Sequence, residues 1–320
     1  MCCPVVSAAA RPRRSWHCNC SGCWPGWPPG GCCCARGAAS WRCRVVDRNV
    51  PVAHGHWFTP YRAVLRSRMR SQQAYPLSFA ADMLSSLLVG AVEFAEVWVI
   101  YRNVHVLGGI DSTAMLLLFG LANLAFALAQ VLVGHTDTLP TYIRMGTLDA
   151  FHLRPQPLLL QLITSDISLR RLARAAVAGA VLVAGLVCNH IAWSATRLAL
   201  LGLSLASGTA IFAGLFVCAA GLQFFLIDGA ELTNSFTYGG SFAAQQPTAV
   251  FGAPLRLLFG FAVPVSFVGY LPTIALLGRP GPPWLPAWLA WATPGAALWI
   301  WILALTCWHV GVRHYQGGGG

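Results

Sequence analysis

The sequence predicts an all-α integral membrane protein with about six transmembrane helices, preceded by an amphipathic helix that lies in the membrane interface. Three observations carry this prediction. Of 320 residues, 56% are hydrophobic and 10% are charged, where an ordinary soluble domain carries about 25% charged residues. The mean hydropathy is +0.60, and a globular chain this apolar could not cover its own surface with polar groups. Apolar stretches near the roughly 20 residues needed to cross a hydrocarbon core recur six times after residue 80.

The net charge of +11 does not point to nucleic acid, because the arginines are scattered among apolar runs and form no basic stripe that could track phosphates. The chain contains no lysine. It therefore lacks a G-x-x-x-x-G-K-[ST] phosphate loop and carries no Walker-type ATPase of its own. It also has no H-E-x-x-H or similar constellation of an intramembrane enzyme.

Residues 1–57 read differently from the rest. Nine of the twelve cysteines precede residue 44, among Arg, Gly, Pro, Ala and Trp. Cys18, Cys20 and Cys23 have close spacings, but "WPGWPPGG" after them is no foldable segment between zinc knuckles. A disulfide framework fits a reduced cytoplasmic tail poorly, and a signal peptide would need an apolar core that is missing. This composition is what GC-rich codons yield, so the extension is expected to be disordered or a misassigned start, with Val50 or Val52 as alternative GTG starts. Residues 58–320 form the expected membrane domain.

Thr59-Pro60 is a helix start, with an N-cap hydroxyl and proline in the first turn. In "YRAVLRSRMRSQQAY", Tyr61, Val64, Leu65 and Met69 share one face, and Arg62, Arg66 and Arg70 line another. Such a helix suits the interface, its cations against anionic headgroups. A plain positive flank that sets topology is the alternative.

The six spans are expected at 83–101, 114–133, 174–193, 198–226, 256–277 and 287–310. With the N-terminus inside, eleven arginines from residue 51 onward fall on cytoplasmic segments and three, Arg102, Arg197 and Arg279, fall outside. This bias supports two cytoplasmic termini. Trp98, Trp193, Trp284, Trp288 and Trp308 stand near span ends, as interfacial anchors do. The segment 227–255 is weakly polar, expected to be cytoplasmic with a partial return into the membrane as the alternative.

The longest polar segment, about 134–173, is too long for a simple turn and should present a docking surface to a cytosolic partner. A surface helix that merely spaces two spans is the competing reading. Within it, Gly146-Thr147-Leu148-Asp149 followed by Leu153-Arg154-Pro155 and Pro157 resembles the cytoplasmic coupling segment of ABC-2 type transporter permeases. The closest likeness is to bacterial permeases with a G-x-L-D-x-(x)-L-x-R-P signature. "AYPLSF", "VLGGID", "DISLRRLAR", "PLRLLFGFAVPVSFVGYLPTIALLG" and "GVRHYQ" agree in order and spacing, so the resemblance covers about residues 58–316. Gln156 departs from the pattern, standing between two prolines where a small apolar residue, typically leucine, belongs.

The resemblance implies an ABC-2, type V exporter-like architecture. This chain would be a non-enzymatic permease in a bacterial plasma membrane, paired with a second permease subunit, identical or related. A separate ABC ATPase subunit would hold the ATP and magnesium, and this chain no cofactor. Arg144, Gly146, Leu148, Asp149 and Arg154 are the expected ATPase contacts. Gly146 would permit close approach and the charged residues would pair across the interface; capping or solvation of the segment is the alternative for each.

Glu93 and Glu96 lie inside the first expected span, three residues apart and thus on one helix face. A carboxylate at bilayer depth costs about 2.5–3.5 kcal/mol, so a partner or a watery cavity is expected. One reading is a translocation path at the permease dimer interface. In the other, Glu96 snorkels outward and Glu93 bonds to a neighbouring helix. Asn123, Gln130 and His190 read as interhelical hydrogen-bonders. The other function classes are a secondary transporter, for which Pro264 and Pro272 in the fifth span are suggestive but lack a matching segment in the other half, and a passive scaffold, which would not need the coupling-like segment.

Overall fold

A computed structural model describes residues 76–103, 106–153, 157–165, 169–226 and 229–315. The extension 1–57, the amphipathic helix expected over 61–75, and Arg154 lie outside the described residues.

Helix α1 (Pro76–Asn103) has 28 residues, about 42 Å at 1.5 Å per residue. A two-residue hairpin follows, β1 (Val106–Leu107) against β2 (Ile110–Asp111). Gly108 and Gly109 form its turn at φ of 60° and 82°, the positive values that a tight hairpin turn asks of both central residues. Helix α2 (Ser112–Val133) is apolar on nearly every side. It passes through a 3₁₀ turn, Gly134–Thr138, into α3 (Leu139–Arg144). Two short helices follow, α4 (Leu148–His152) and α5 (Leu158–Ser165), then the long α6 (Leu169–Cys188) and α7 (Ala195–Gln223). Ser194 caps α7 by accepting the Arg197 N–H at 3.2 Å, which satisfies one of the four open donors there. The remainder comprises α8 (Ala230–Ala244), α9 (Ala253–Leu257) running into a π turn over Leu258–Ala262, α10 (Tyr270–Leu276) and α11 (Thr293–His314).

Small residues let these helices touch. A Cβ on Gly120 of α2 would stand 2.6 Å from the Cα of Leu182 on α6, and one on Gly185 would stand 2.8 Å from the Cα of Leu117. On α7, Gly214 faces Ile300, and Gly221 meets the backbone of Cys307 and Trp308 on α11 at 2.7 Å by the same measure. This is how membrane helices gain contact area where lipid offers no hydrophobic drive between them. Aromatic rings fill the centre: Phe126 lies 5.1 Å from Phe212 and 5.6 Å from Tyr238, centroid to centroid. Helix α1 packs chiefly on α6 and leaves Leu84, Leu88, Val92 and Val99 exposed.

Among the described residues, four helical stretches are long and apolar enough to cross a membrane: Ser112–Arg144, Arg171–Cys188, Ala195–Gln223 and Ala287–His314. They match the expected second, third, fourth and sixth spans. A fifth candidate is the pair Ala253–Ala262 and Val265–Leu276, bent by 68°.

The contacts make that pair a re-entrant element, which corrects the expected fifth span at 256–277. One end of the bundle holds the β-hairpin, where Arg279 pairs with Asp111 at 2.5 Å and Asn189 donates to the Thr113 carbonyl at 2.6 Å. At the opposite end, Arg171 donates to the Gly134 carbonyl at 3.1 Å and Gln223 donates to Thr233 at 3.0 Å. Helix α8 begins at this second end, yet Pro247, just after it, would touch a Cβ on Gly108 of the hairpin at 3.1 Å. The bent pair then starts at the hairpin end, with Arg256 5.5 Å from the Trp284 ring, and returns there at Arg279. Thus the stretch 229–247, which includes α8 and was expected in a cytoplasmic segment, passes from one end of the bundle to the other, while 256–277 dips in and comes back. Pro264 sits at the break, where its missing N–H interrupts the helix.

Helix α8 also presents its polar side inward. Thr233, Thr237, Ser241 and Gln245, four residues apart, are buried, while Leu232, Phe236 and Phe242 are exposed. Thr233 donates to the Gly229 carbonyl at 3.1 Å and Gln245 donates to Ser241 at 3.4 Å, so much of the stripe is satisfied within α8 itself.

Candidate functional site

The segment between α2 and α6 is shaped by Pro140, Gly146 and a small apolar cluster. Pro140 stands in the first turn of α3, where its missing donor costs nothing. The helix closes at Arg144, and the Gly146 N–H bonds the Ile143 carbonyl at 3.1 Å. Gly146 has φ of 65°, and a Cβ there would meet nothing within 4 Å. Glycine is required by the turn, and the space over it is open.

Helix α4 then comes back along the bundle. Leu148 is fully buried in a cluster with Leu139, Leu162, Val217, Ala304 and Trp308. It therefore anchors the segment onto α7 and α11, whereas it was expected, with Arg144 and Asp149, as an ATPase contact. Tyr142 packs edge-on to Phe151 at 5.4 Å, and Gln161 of α5 donates to the Phe151 carbonyl at 3.1 Å. His135 Nε2 and the Tyr142 hydroxyl are 3.0 Å apart. The segment is thus folded onto the bundle.

Its outward face carries Arg144, Met145, Asp149 and Leu153, all exposed. Leu153 is 88% exposed and Met145 is 62% exposed. Sequence reasoning singled out the charged pair but not these two apolar neighbours, although Leu153 stood inside the quoted motif. Asp149 accepts from the Tyr315 hydroxyl at 3.0 Å. Burial, then that hydrogen bond and the charge of Asp149, push the Tyr315 phenol above its ordinary value, so Tyr315 stays a donor through the physiological range.

At the membrane edge beside the segment, Arg174 donates to the Gln130 side chain at 3.3 Å and Arg171 to the Gln130 carbonyl at 3.3 Å. Gln130 donates in turn to Tyr238 at 3.5 Å, and Tyr238 donates to Asp137 at 2.9 Å. Gln130 is the interhelical hydrogen-bonder expected of it. His190 is exposed in a turn with φ of 43°, and fills no such role. At the other end of the bundle, partial burial works against the charge of Asp111. Hydrogen bonds from Thr113 and Arg279 outweigh it and hold the carboxyl below its ordinary value.

Glu93 and Glu96 are on α1, away from this segment's anchoring cluster. Glu93 is half-buried and Glu96 exposed, on a helix that also exposes Leu84, Leu88, Val92 and Val99.

A bundle of long apolar helices, with a folded segment packed across one end of it, defines a polytopic α-helical membrane protein. The chain matches the model of the ABC-2 family transporter protein over residues 87–319, from within α1 to past the end of α11. It belongs to that family, and is a membrane permease component of an ABC transporter. No curated protein and no solved structure matches the chain.

Proposed function

We propose that this chain is the permease half of an exporter, driven by a separate ABC ATPase that docks on residues 134–173 from the cytoplasm. The observation that carries this is the build of the segment. It is anchored from beneath by Leu139 and Leu148 on α7 and α11, and its outer face offers Arg144, Asp149, Met145 and Leu153. Charged and apolar groups side by side fit a protein partner better than water alone, because the apolar pair gains only if something covers it. Arg144, Asp149 and Arg154 are proposed to pair with the ATPase, and the open space over Gly146 to admit its backbone. ATP and magnesium belong to that partner. Its closure on nucleotide would push the segment and rock two permease subunits, identical or related, between inward- and outward-open states.

The chain is proposed to lie in a plasma membrane with both termini cytoplasmic and residues 1–57 outside the permease domain 58–320. With Arg256 at the hairpin end, ten arginines fall on the cytoplasmic side and four on the other, and the bias still favours this orientation. Glu93 and Glu96 are proposed to face the path between the two permeases, where a carboxylate finds water.

Isolation in mild detergent with identification of copurifying proteins tests the reading. Recovery of a phosphate-loop ATPase, lost on Arg144→Glu with Arg154→Glu, is the expected outcome. A chain that emerges alone, under conditions that hold other membrane complexes together, overturns it.

A further inference from the structure

The chain leaves helical geometry at Tyr315, with ψ of 121°, and this residue closes over the docking segment. Its hydroxyl donates to Asp149 Oδ1 at 3.0 Å, and its ring stacks on His152 at 5.8 Å with the planes 10° apart. Its far side meets Phe224 edge-on at 5.9 Å. Phe224 also packs against Trp308 at 5.6 Å, and Phe225 stacks on His314 at 4.9 Å. Three chain ends therefore meet in one aromatic knot: α4, the end of α7 and the end of α11.

Behind the knot, α7 and α11 touch backbone to backbone at Gly221 and Cys307. A phenol bonded to a carboxylate is a charge-assisted hydrogen bond, about twice as strong as a neutral one, and the stack fixes its direction. A chain end that merely settled on the surface would need neither.

We propose that Tyr315 is a positioning residue that clasps α4 to α7 and α11, so that a push on the docking segment reaches the last membrane helix directly. Leu139 and Leu148 already bear on α7 and α11 from beneath, and Tyr315 adds a hold on α4 through the exposed Asp149; the route along the chain through α5 and α6 is longer and enters the bundle at a different helix. The use of the clasp rests on the docking reading above, but its existence does not.

The test is amide hydrogen exchange on the full chain in lipid nanodiscs. Tyr315→Phe keeps the ring and removes the donor; Asp149→Asn keeps the acceptor shape and removes the charge. Each is expected to speed exchange over residues 139–153 by about fivefold, as the loss of about 1 kcal/mol of hydrogen bonding implies. The double variant should be no faster than the faster single one, and α2 should be unchanged. Wild-type exchange in both singles, or effects that multiply in the double, overturns the clasp. In the complex with its copurified ATPase, Tyr315→Phe should leave the amount of bound ATPase unaltered and change its hydrolysis rate at least threefold. An unchanged rate overturns the positioning role. Should no ATPase bind the wild-type chain, the docking reading fails, and the exchange result still decides the clasp.

Discussion

Helices α2 and α8 lie side by side in the bundle and follow opposite rules. On α2, apolar side chains run round the whole helix, and the buried ones include Leu117, Leu118, Leu121 and Phe126. On α8 the buried face is Thr233, Thr237, Ser241 and Gln245, and the apolar side chains Leu232, Phe236 and Phe242 point out. In water this would be an inverted helix. In a bilayer it is ordinary, because the surroundings are as apolar as any core, and the interior is where polar groups find partners.

Glycine substitution should separate the two helices most sharply. Gly120→Ala puts a methyl group 2.6 Å from the Leu182 Cα, forcing α2 and α6 apart at about 1–3 kcal/mol. Gly239→Ala on α8 meets nothing within 4 Å, and should gain about 0.5–1 kcal/mol of helix stability. Thermal unfolding in detergent reads both; equal effects would mean that the close contact of α2 with α6 is not made.

A smaller difference tests the inversion itself. Thr233→Val removes the acceptor of the Gln223 amide in a closed site, at about 1–3 kcal/mol. Phe236→Ser on the outward face should cost no more than about 0.5 kcal/mol in detergent. The opposite ranking would break the inside-out assignment.

The weakest effect belongs to the hairpin end. The carboxyl of Asp111 is held below its ordinary value in the folded chain. Its pair with Arg279 therefore stabilises above the unfolded carboxylate range, near pH 4, and the contribution fades as pH falls through the folded value. The unfolding midpoint should drop slightly there in the wild type, and Asp111→Asn should remove that part of the drop. Both side chains are about one-third exposed, so solvent keeps the effect small.

The same contrast explains what could be read from the residues alone. Helices α2, α6, α7 and α11 were legible because long apolar runs have few other uses at that length. Helix α8 was hidden by its four-residue hydroxyl spacing, which looks like a solvated surface when lipid is not counted as the outside. Residues 256–277 had the opposite fault: apolar enough for a span, they are turned by Pro264, and only the Gly108 and Trp284 contacts reveal that they return. In the segment between α2 and α6, the exposure of Arg144 and Asp149 followed from polarity. The burial of Leu148 did not, since a five-residue helix is too short to show a period. Tyr315 gave no sign beyond its place in "GVRHYQ", because Asp149 and His152, the partners that tie it to α4, precede it by more than 150 residues.

The glycine contact between α7 and α11 fixes register as well as distance. Helix α11 climbs 1.5 Å and turns about 100° with each residue. A slip by one position would move Cys307 and Trp308 off the bare backbone of Gly221, which now admits them to 2.7 Å of where its Cβ would stand. Tyr315, two turns beyond Trp308, is delivered at one height and one azimuth as a result. The aim of a surface hydroxyl at Asp149 is thus set behind the aromatic knot, at a residue with no side chain.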